Sequence, residues 1–172
     1  DSGRVAVMAD EVDVFIQNGA FVLPGEGGAG GTFRVEDARV STLEQQVYLR
    51  NVYYWTSPGY PPGTDFWLHN MYIPYVQLKE VALQKLYQEQ VAEAKSFSAW
   101  KPRFTFNYRK SGITRPKVSF DFEDLYPQFS SYLQRIDLGM VSMNDAELTV
   151  RKINRGKIDS LFLTEKLNLD PR

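Results

Sequence analysis

Alternating apolar residues run through most of the chain and predict β-strands. Near the N-terminus, VDVFIQNGAFVL (residues 12–23) alternates on both sides of Asn18-Gly19. This pair tolerates the positive φ of tight turns and therefore predicts a hairpin. The next eight residues, PGEGGAGG (residues 24–31), hold five glycines and predict a loop. Residues 32–55 predict two more strands around a turn near residues 43–46, and a proline- and glycine-rich connection follows over residues 56–63.

The middle of the chain predicts a strand and then a short helix. Residues 66–81 suit an edge strand interrupted by Pro74, whereas residues 82–94 contain helix formers throughout. One face of this helix is apolar and would cover the end or the open side of the sheet, with docking of a partner as the alternative. The face comprises Val81, Leu83, Leu86, Tyr87 and Val91.

Two later segments, residues 101–110 and 116–122, alternate as strands do. A short helical turn is predicted directly after them, over residues 123–133. Early carboxylates suit the positive end of such a helix and lack the spacing of a calcium-binding loop. They are Asp121, Glu123 and Asp124.

The segment IDLGMVSMNDAELTVRK (residues 136–152) predicts a second one-sided hairpin, folded around a polar pair. The parity of its apolar positions changes at Gly139, where a β-bulge would keep both sets on one face. Placing Gln17 on Asn144 aligns the two hairpins as a weak internal repeat, and residues 158–169 predict a further strand. The aligned pairs are Val14 with Val141, Ile16 with Met143, Phe21 with Leu148, and Leu23 with Val150.

Together these elements predict a mainly β fold with one or two short helices. We expect a twisted antiparallel sheet curved into an open groove, with a closed β-sandwich as the alternative, because face polarity does not separate the two. Residues 1–172 would form a single β-rich segment, a fragment of a longer repeat-containing protein. The aromatic run at residues 53–55 is expected to cap a sheet edge beside Pro61 and Pro62; a sugar- or membrane-binding platform is the alternative.

Composition and charge narrow the function classes. The 172 residues include 20 basic and 21 acidic side chains, so no broad basic field favours nucleic acid. The absence of cysteine excludes thiolate chemistry and Cys-ligated zinc. His69 has no second histidine for a metal pair, and GEGGAGG lacks the Gly-Lys-Ser/Thr ending of a phosphate-binding loop. We therefore expect no catalytic residues, metal, cofactor or nucleotide.

Four quoted stretches resemble a known family. VDVFIQNGAFVLP, RVEDARVSTLEQQVYLRNV, DLYPQFSSYLQRIDLGMVSMNDAELTV and KIDSLFLTEKLNLD are similar to the AsmA-like proteins of Gram-negative envelopes. These belong to the bridge-like, repeating β-groove group of lipid-transfer proteins. The similarity covers most of the chain, is weakest over residues 66–110, and consists of hydrophobicity patterns without an invariant chemical residue.

The resemblance implies a non-enzymatic segment whose apolar groove shields acyl chains between the inner and outer membranes. It also implies a periplasmic location, anchorage through a membrane segment outside this sequence, and phospholipids or other acyl-chain lipids as partners, with envelope proteins as further partners. A β-rich structural or adhesion module of an envelope or secretion assembly is the alternative. The expected groove wall comprises Val12, Val14, Ile16, Phe21, Leu23, Val141, Met143, Leu148, Val150, Leu161 and Leu163.

Overall fold

A computed structural model of the chain describes residues 11–23, 30–56, 66–109, 133–154 and 157–169. One helix, α1 (Leu83–Glu89), lies in this part of the chain. The strands are β1 (Asp13–Leu23), β2 (Gly31–Ser41), β3 (Gln46–Thr56), β4 (Phe66–Val81), β5 (Val91–Trp100), β6 (Arg103–Arg109), β7 (Arg135–Asn154) and β8 (Lys157–Leu169).

These strands form one twisted sheet, which confirms the mainly β class. Strands β5 and β6 lie end to end and share one position in the sheet, because each pairs with β4 on one side and with β7 on the other. The sheet is therefore seven strands wide, in the order β1, β2, β3, β4, β5 with β6, β7 and β8. All neighbours are antiparallel except β7, which runs parallel to β5 and β6. A parallel neighbour requires a long connection, which is consistent with β6 ending at Arg109 and β7 beginning at Arg135.

The two segments predicted as hairpin turns, residues 18–19 and 144–145, lie within continuous strands. Strand β1 continues through Asn18-Gly19 and pairs along its whole length with β2, whereas β7 continues through residues 144–145 and pairs with β8. Asn18 and Asp145, which the internal repeat places on each other, both have a φ of 54°. The sequence signal for positive φ was correct at Asn18, but the chain uses this conformation inside a strand.

A line of backbone irregularities crosses the sheet from β1 to β7, perpendicular to the strands. Four of its residues have φ between 49° and 54°, and the other two lie opposite them on β2 and β4. Regular pairing skips all six positions, and the apolar positions change parity there. We call this line the crease, and it comprises Asn18, Glu36, Asn51, Pro74, Lys101 and Asp145.

The crease explains how Pro74 fits into β4, which is an interior strand and not the predicted edge. Proline cannot donate to a ladder hydrogen bond, so it is tolerated where the ladder is already interrupted. Pro74 falls opposite Asn51 on one side and Lys101 on the other, where the regular pairs are missing.

A second, shorter line runs parallel to the crease through Glu80, Lys95 and Gly139. Glu80 has a φ of 50°, and its carboxylate accepts a hydrogen bond from Lys95 Nζ at 2.7 Å. A Cβ atom on Gly139 would lie 2.7 Å from the Lys95 carbonyl oxygen, so this position requires glycine. An irregularity is present at the predicted position, because regular pairing between β5 and β7 skips Gly139; since Lys95 is skipped opposite it, the register does not shift and the predicted β-bulge is not formed.

The helix is shorter than predicted and covers little. It ends at Glu89 because Gln90 adopts a φ of 56° and donates its backbone N–H to the Lys85 carbonyl oxygen. The residues at the two ends of the predicted apolar face, Val81 and Val91, are buried but belong to β4 and β5. Leu86 and Tyr87 are exposed, and α1 has no buried residue.

Other local predictions are confirmed where the structure describes them. Residues 42–45 form the turn between β2 and β3, and β6 and β8 match two predicted strands. The predicted loop over residues 24–31 is too long by one residue, because Gly31 begins β2, and its residues 24–29 lie outside the described residues. Residues 57–63 of the predicted connection, the predicted strand over 116–122 and all but the last residue of the predicted turn over 123–133 also lie outside them.

The buried core occupies one face of this sheet. Its members come from β2 to β7, and the apolar parity changes at the crease place them on the same face. They are Val35, Val52, Tyr54, Leu68, Met71, Ile73, Val76, Ala99, Phe104, Phe106, Met143, Ala146, Leu148 and Val150.

Candidate functional site: apolar rows across the sheet

Apolar side chains on the core face form four rows perpendicular to the strands. The rows follow direct cross-strand partners from β1 to β7, except at Pro102, which lies between β5 and β6 and takes its place in the Gly19 row from the register of the pairs on either side. The crease separates the first two rows from the last two. At about 4.8 Å between strands, six strands give a row about 24 Å long. We name each row by its β1 residue. They are the Phe21 row (Phe21, Phe33, Tyr54, Met71, Phe104, Leu148), the Gly19 row (Gly19, Val35, Val52, Ile73, Pro102, Ala146), the Ile16 row (Ile16, Ala38, Leu49, Val76, Ala99, Met143) and the Val14 row (Val14, Val40, Val47, Leu78, Phe97, Val141).

Exposure changes along the rows. At the β1 end, Phe21, Ile16 and Val14 are 51%, 43% and 42% exposed. At the β7 end, Leu148 and Met143 are only 4% and 2% exposed. The same apolar face therefore passes from an accessible end at β1 to a buried core over β4 to β7.

The structure places most of the predicted groove residues on one face. Val14, Ile16 and Phe21 begin three of the rows, Val141, Met143 and Leu148 end three, and Val150 pairs with Phe106 beside them. Val12 precedes β1 and is tied to the β2–β3 turn, because its backbone N–H donates to Thr42 Oγ1 at 2.7 Å. The side chains of the remaining three, Leu23, Leu161 and Leu163, lie outside the described set.

Sequence reasoning missed the middle of each row. Residues such as Tyr54, Met71 and Phe104 were assigned to strands, but the face they occupy was not predicted. The signal was present as a repeated two-residue gap between pairs of alternating apolar residues, for example between Val35 and Ala38. This gap marks the parity change at the crease.

Aromatic side chains on the opposite, polar face belong to interior strands, so the prediction that the run at residues 53–55 caps a sheet edge is wrong. Pro61 and Pro62, beside which the run was expected to lie, are outside the described residues. Tyr53 on β3 stacks on Tyr72 on β4 with ring centroids 4.9 Å apart. Tyr72 Oη donates to Asn51 Oδ1 at 2.9 Å, and Asn51 Nδ2 donates to Glu36 Oε2 at 2.8 Å. This network lies over the crease and stabilises its polar side. Tyr54, between Tyr53 and Trp55 in sequence, points into the core.

Burial shifts the pKa of Tyr54 and that of His69. Burial raises the pKa of the Tyr54 phenol, which keeps the hydroxyl neutral on the apolar face. Burial, together with the positive charge of Arg151, lowers the pKa of His69, whose Nδ1 lies 3.3 Å from Thr56 Oγ1. Among the described residues, no group of three or more histidine, aspartate or glutamate side chains is placed to hold one metal ion.

Comparison of the chain with protein-family models, curated proteins and solved structures finds no match. The AsmA-like resemblance thus stays a prediction from the quoted sequence stretches. Within the described ranges, α1 is too short and too polar to cross a membrane.

Proposed function

We propose that this chain is a non-enzymatic lipid-binding or lipid-transfer segment of the AsmA-like kind. The observation that carries the proposal is the continuity of the apolar rows, which lead from accessible side chains on β1 into the core face. Exposing an acyl chain to water costs about 0.8 kcal/mol per methylene, and an apolar track removes that cost. In this proposal the face is open as a groove along β1 and β2.

The cellular setting is part of the same proposal. The cargo is phospholipid or another acyl-chain lipid, carried between inner and outer membranes, and the segment lies in the periplasm with other envelope proteins as partners. Residues at the open ends of the rows, Ile16 and Phe21, contact the acyl chain. Head groups stay in water beyond the apolar rows.

The test uses two neighbouring residues on opposite faces of β1. Ile16→Asp places a charge on the apolar face, whereas Phe15→Asp places it on the polar face, where Phe15 is 69% exposed beneath Arg39. After incubation with phosphatidylethanolamine and phosphatidylglycerol vesicles, native mass spectrometry counts the lipid retained by each variant. We expect Ile16→Asp to retain at least fivefold less lipid than Phe15→Asp, with both variants folded by circular dichroism.

A structural or adhesion module is the second candidate, and a specific observation favours it. The predicted lining residues on β7, including Met143 and Leu148, are almost fully buried, as in a closed core. A folded chain that retains no lipid in the same experiment would support this module and exclude the lipid proposal.

A further inference from the structure

A small cavity lies on the polar face of the sheet, over strands β1 to β3. It has a volume of about 110 Å³, and we call it the polar-face cavity. Exposed side chains on β1 and β3 line it, so it is reached from solvent. Its main lining residues are two sets of direct cross-strand partners, Phe15 with Arg39 and Tyr48, and Gln17 with Asp37 and Arg50.

Contacts with neighbouring residues hold two walls of the polar-face cavity in place. Arg39 Nη2 lies 3.0 Å from Asp13 Oδ2, and its guanidinium carbon lies 5.7 Å from the centre of the Phe15 ring. Tyr48 Oη accepts a hydrogen bond from Gln77 Nε2 at 3.2 Å. These walls are therefore preorganised, and the ion pair with Asp13 neutralises the charge of Arg39.

The other two charged residues of the polar-face cavity are not neutralised. Asp37 on β2 and Arg50 on β3 are direct cross-strand partners. Within the described ranges, neither side chain forms an ion pair or a side-chain hydrogen bond. The cavity thus presents one negative and one positive charge on strands about 4.8 Å apart. A ligand with a single charge would compensate only one of them, whereas a ligand with both charges compensates the pair.

We propose that the polar-face cavity binds a small zwitterion that carries an ammonium group and a carboxylate or phosphate group. The oxyanion binds the Arg50 guanidinium, whose N–H donors match a carboxylate or a phosphate in a two-bond geometry. The ammonium group binds the Asp37 carboxylate and lies against the Phe15 or Tyr48 ring, because aromatic faces attract cations. Free amino acids and ethanolamine phosphodiesters share this chemistry.

This site goes beyond the proposed lipid-binding function and does not rest on it. The polar-face cavity lies on the face of β1 to β3 that carries Phe15 and Arg39, whereas the apolar rows use the opposite face, with Ile16 and Ala38. Loss of lipid retention in Ile16→Asp would leave the zwitterion site unaffected. Failure of one proposal is therefore distinguishable from failure of the other.

NMR titration of the full chain with two zwitterions, glycerophosphoethanolamine and L-alanine, tests the proposal. Ethanolamine and glycerophosphoglycerol are the control ligands, because each carries only one of the two charges. We expect at least one zwitterion to bind at least tenfold more tightly than either control ligand. Binding of glycerophosphoethanolamine alone would identify an ethanolamine phosphodiester, and binding of alanine alone a free amino acid. No binding of either zwitterion, or equal binding of a control ligand, would overturn the proposal.

Variants of the chain locate the site. Asp37→Asn and Arg50→Gln are each expected to weaken zwitterion binding at least tenfold, because each removes one of the two charges that the ligand contacts. The control variants, Asp137→Asn and Arg103→Gln, remove exposed charges of the same types on β7 and β6. Circular dichroism verifies folding of each variant. Unchanged affinity in Asp37→Asn or Arg50→Gln, or equal weakening by the control variants, would contradict the assignment.

Discussion

Single residues with positive φ set the shape of this sheet. Asn51 has a φ of 51° in the middle of an interior strand, and its side chain is held by Glu36 and Tyr72. An L-residue with a Cβ costs about 1–2 kcal/mol in this conformation, although asparagine tolerates it better than most. Glycine is therefore favoured over alanine at this position, whereas at an ordinary strand position glycine is the less favourable of the two.

Comparison of Asn51→Gly with Asn51→Ala isolates this backbone effect, because both variants lose the same side-chain hydrogen bonds. We expect Asn51→Gly to be more stable than Asn51→Ala by about 1 kcal/mol in urea unfolding. The neighbouring position provides the control, since Arg50 is exposed and has no positive φ. There, Arg50→Ala should be the more stable of the two corresponding variants, and the same order at both positions would refute the backbone argument.

His69 gives the chain a pH dependence. Burial, with the charge of Arg151, lowers the pKa of His69 in the folded state. Its stabilising contribution is present above the unfolded pKa of about 6.5, and it is lost as the pH falls through the folded value. Between pH 7 and pH 5, the free energy of unfolding of the native chain should fall more than that of His69→Gln. Parallel pH profiles in urea unfolding would contradict this expectation.

At the scale of elements, cross-strand contacts on the polar face connect β3 to β4 over the crease. Tyr53 and Tyr72 are direct partners whose rings stack at an interplanar angle of 27°. Such aromatic pairs contribute about 0.5–1.5 kcal/mol beyond their buried area. The pair stabilises the sheet where regular backbone pairing is interrupted.

A double-mutant cycle with Tyr53→Leu and Tyr72→Leu measures this contribution. We expect a coupling free energy of about 0.5–1.5 kcal/mol. The control cycle combines Tyr53→Leu with Tyr87→Leu, because Tyr87 is exposed on α1. That cycle should be additive to within about 0.5 kcal/mol. A coupling near zero for the first pair would show that the stacked rings contribute independently.

The sequence predicted the types of the elements, but it did not predict where a strand continues and where the chain turns. Alternation predicted most strands correctly, but Asn18-Gly19 and Asn144-Asp145 were interpreted as turns. An asparagine with positive φ serves a turn and a parity change equally well, so the local sequence does not separate the two. Pairing partners decide between them: β1 pairs with β2 and not with itself.

At the scale of the whole molecule, position along a row determines how a charge is tolerated. Ile16 and Met143 belong to one row, but they are 43% and 2% exposed. A carboxylate at the buried end loses its hydration, whereas one at the β1 end keeps part of it. Aspartate variants at these two positions are therefore expected to differ in stability before any lipid is present.

Met143→Asp should lower the free energy of unfolding by at least about 3 kcal/mol, and Ile16→Asp by about 1 kcal/mol or less. Denaturant unfolding monitored by circular dichroism measures both. Similar losses for the two variants would mean that the row is equally enclosed at both ends. Ile16→Asp is consequently the variant suited to lipid-retention measurements.

The sequence by itself determined the mainly β class, the one-sided apolar face and the parity changes, because these follow from alternation and from residues that accept positive φ. It also predicted that seven residues of β1 and β7 share one face of the sheet. Only the tertiary structure decided that the two presumed hairpins are single strands, that β7 joins the sheet in parallel, and that Pro74 lies in an interior strand. These features depend on pairing between residues far apart in the chain. The local conformational preferences of a residue are the same whichever strand pairs with it. They therefore could not predict which residues pair across the sheet to form the rows.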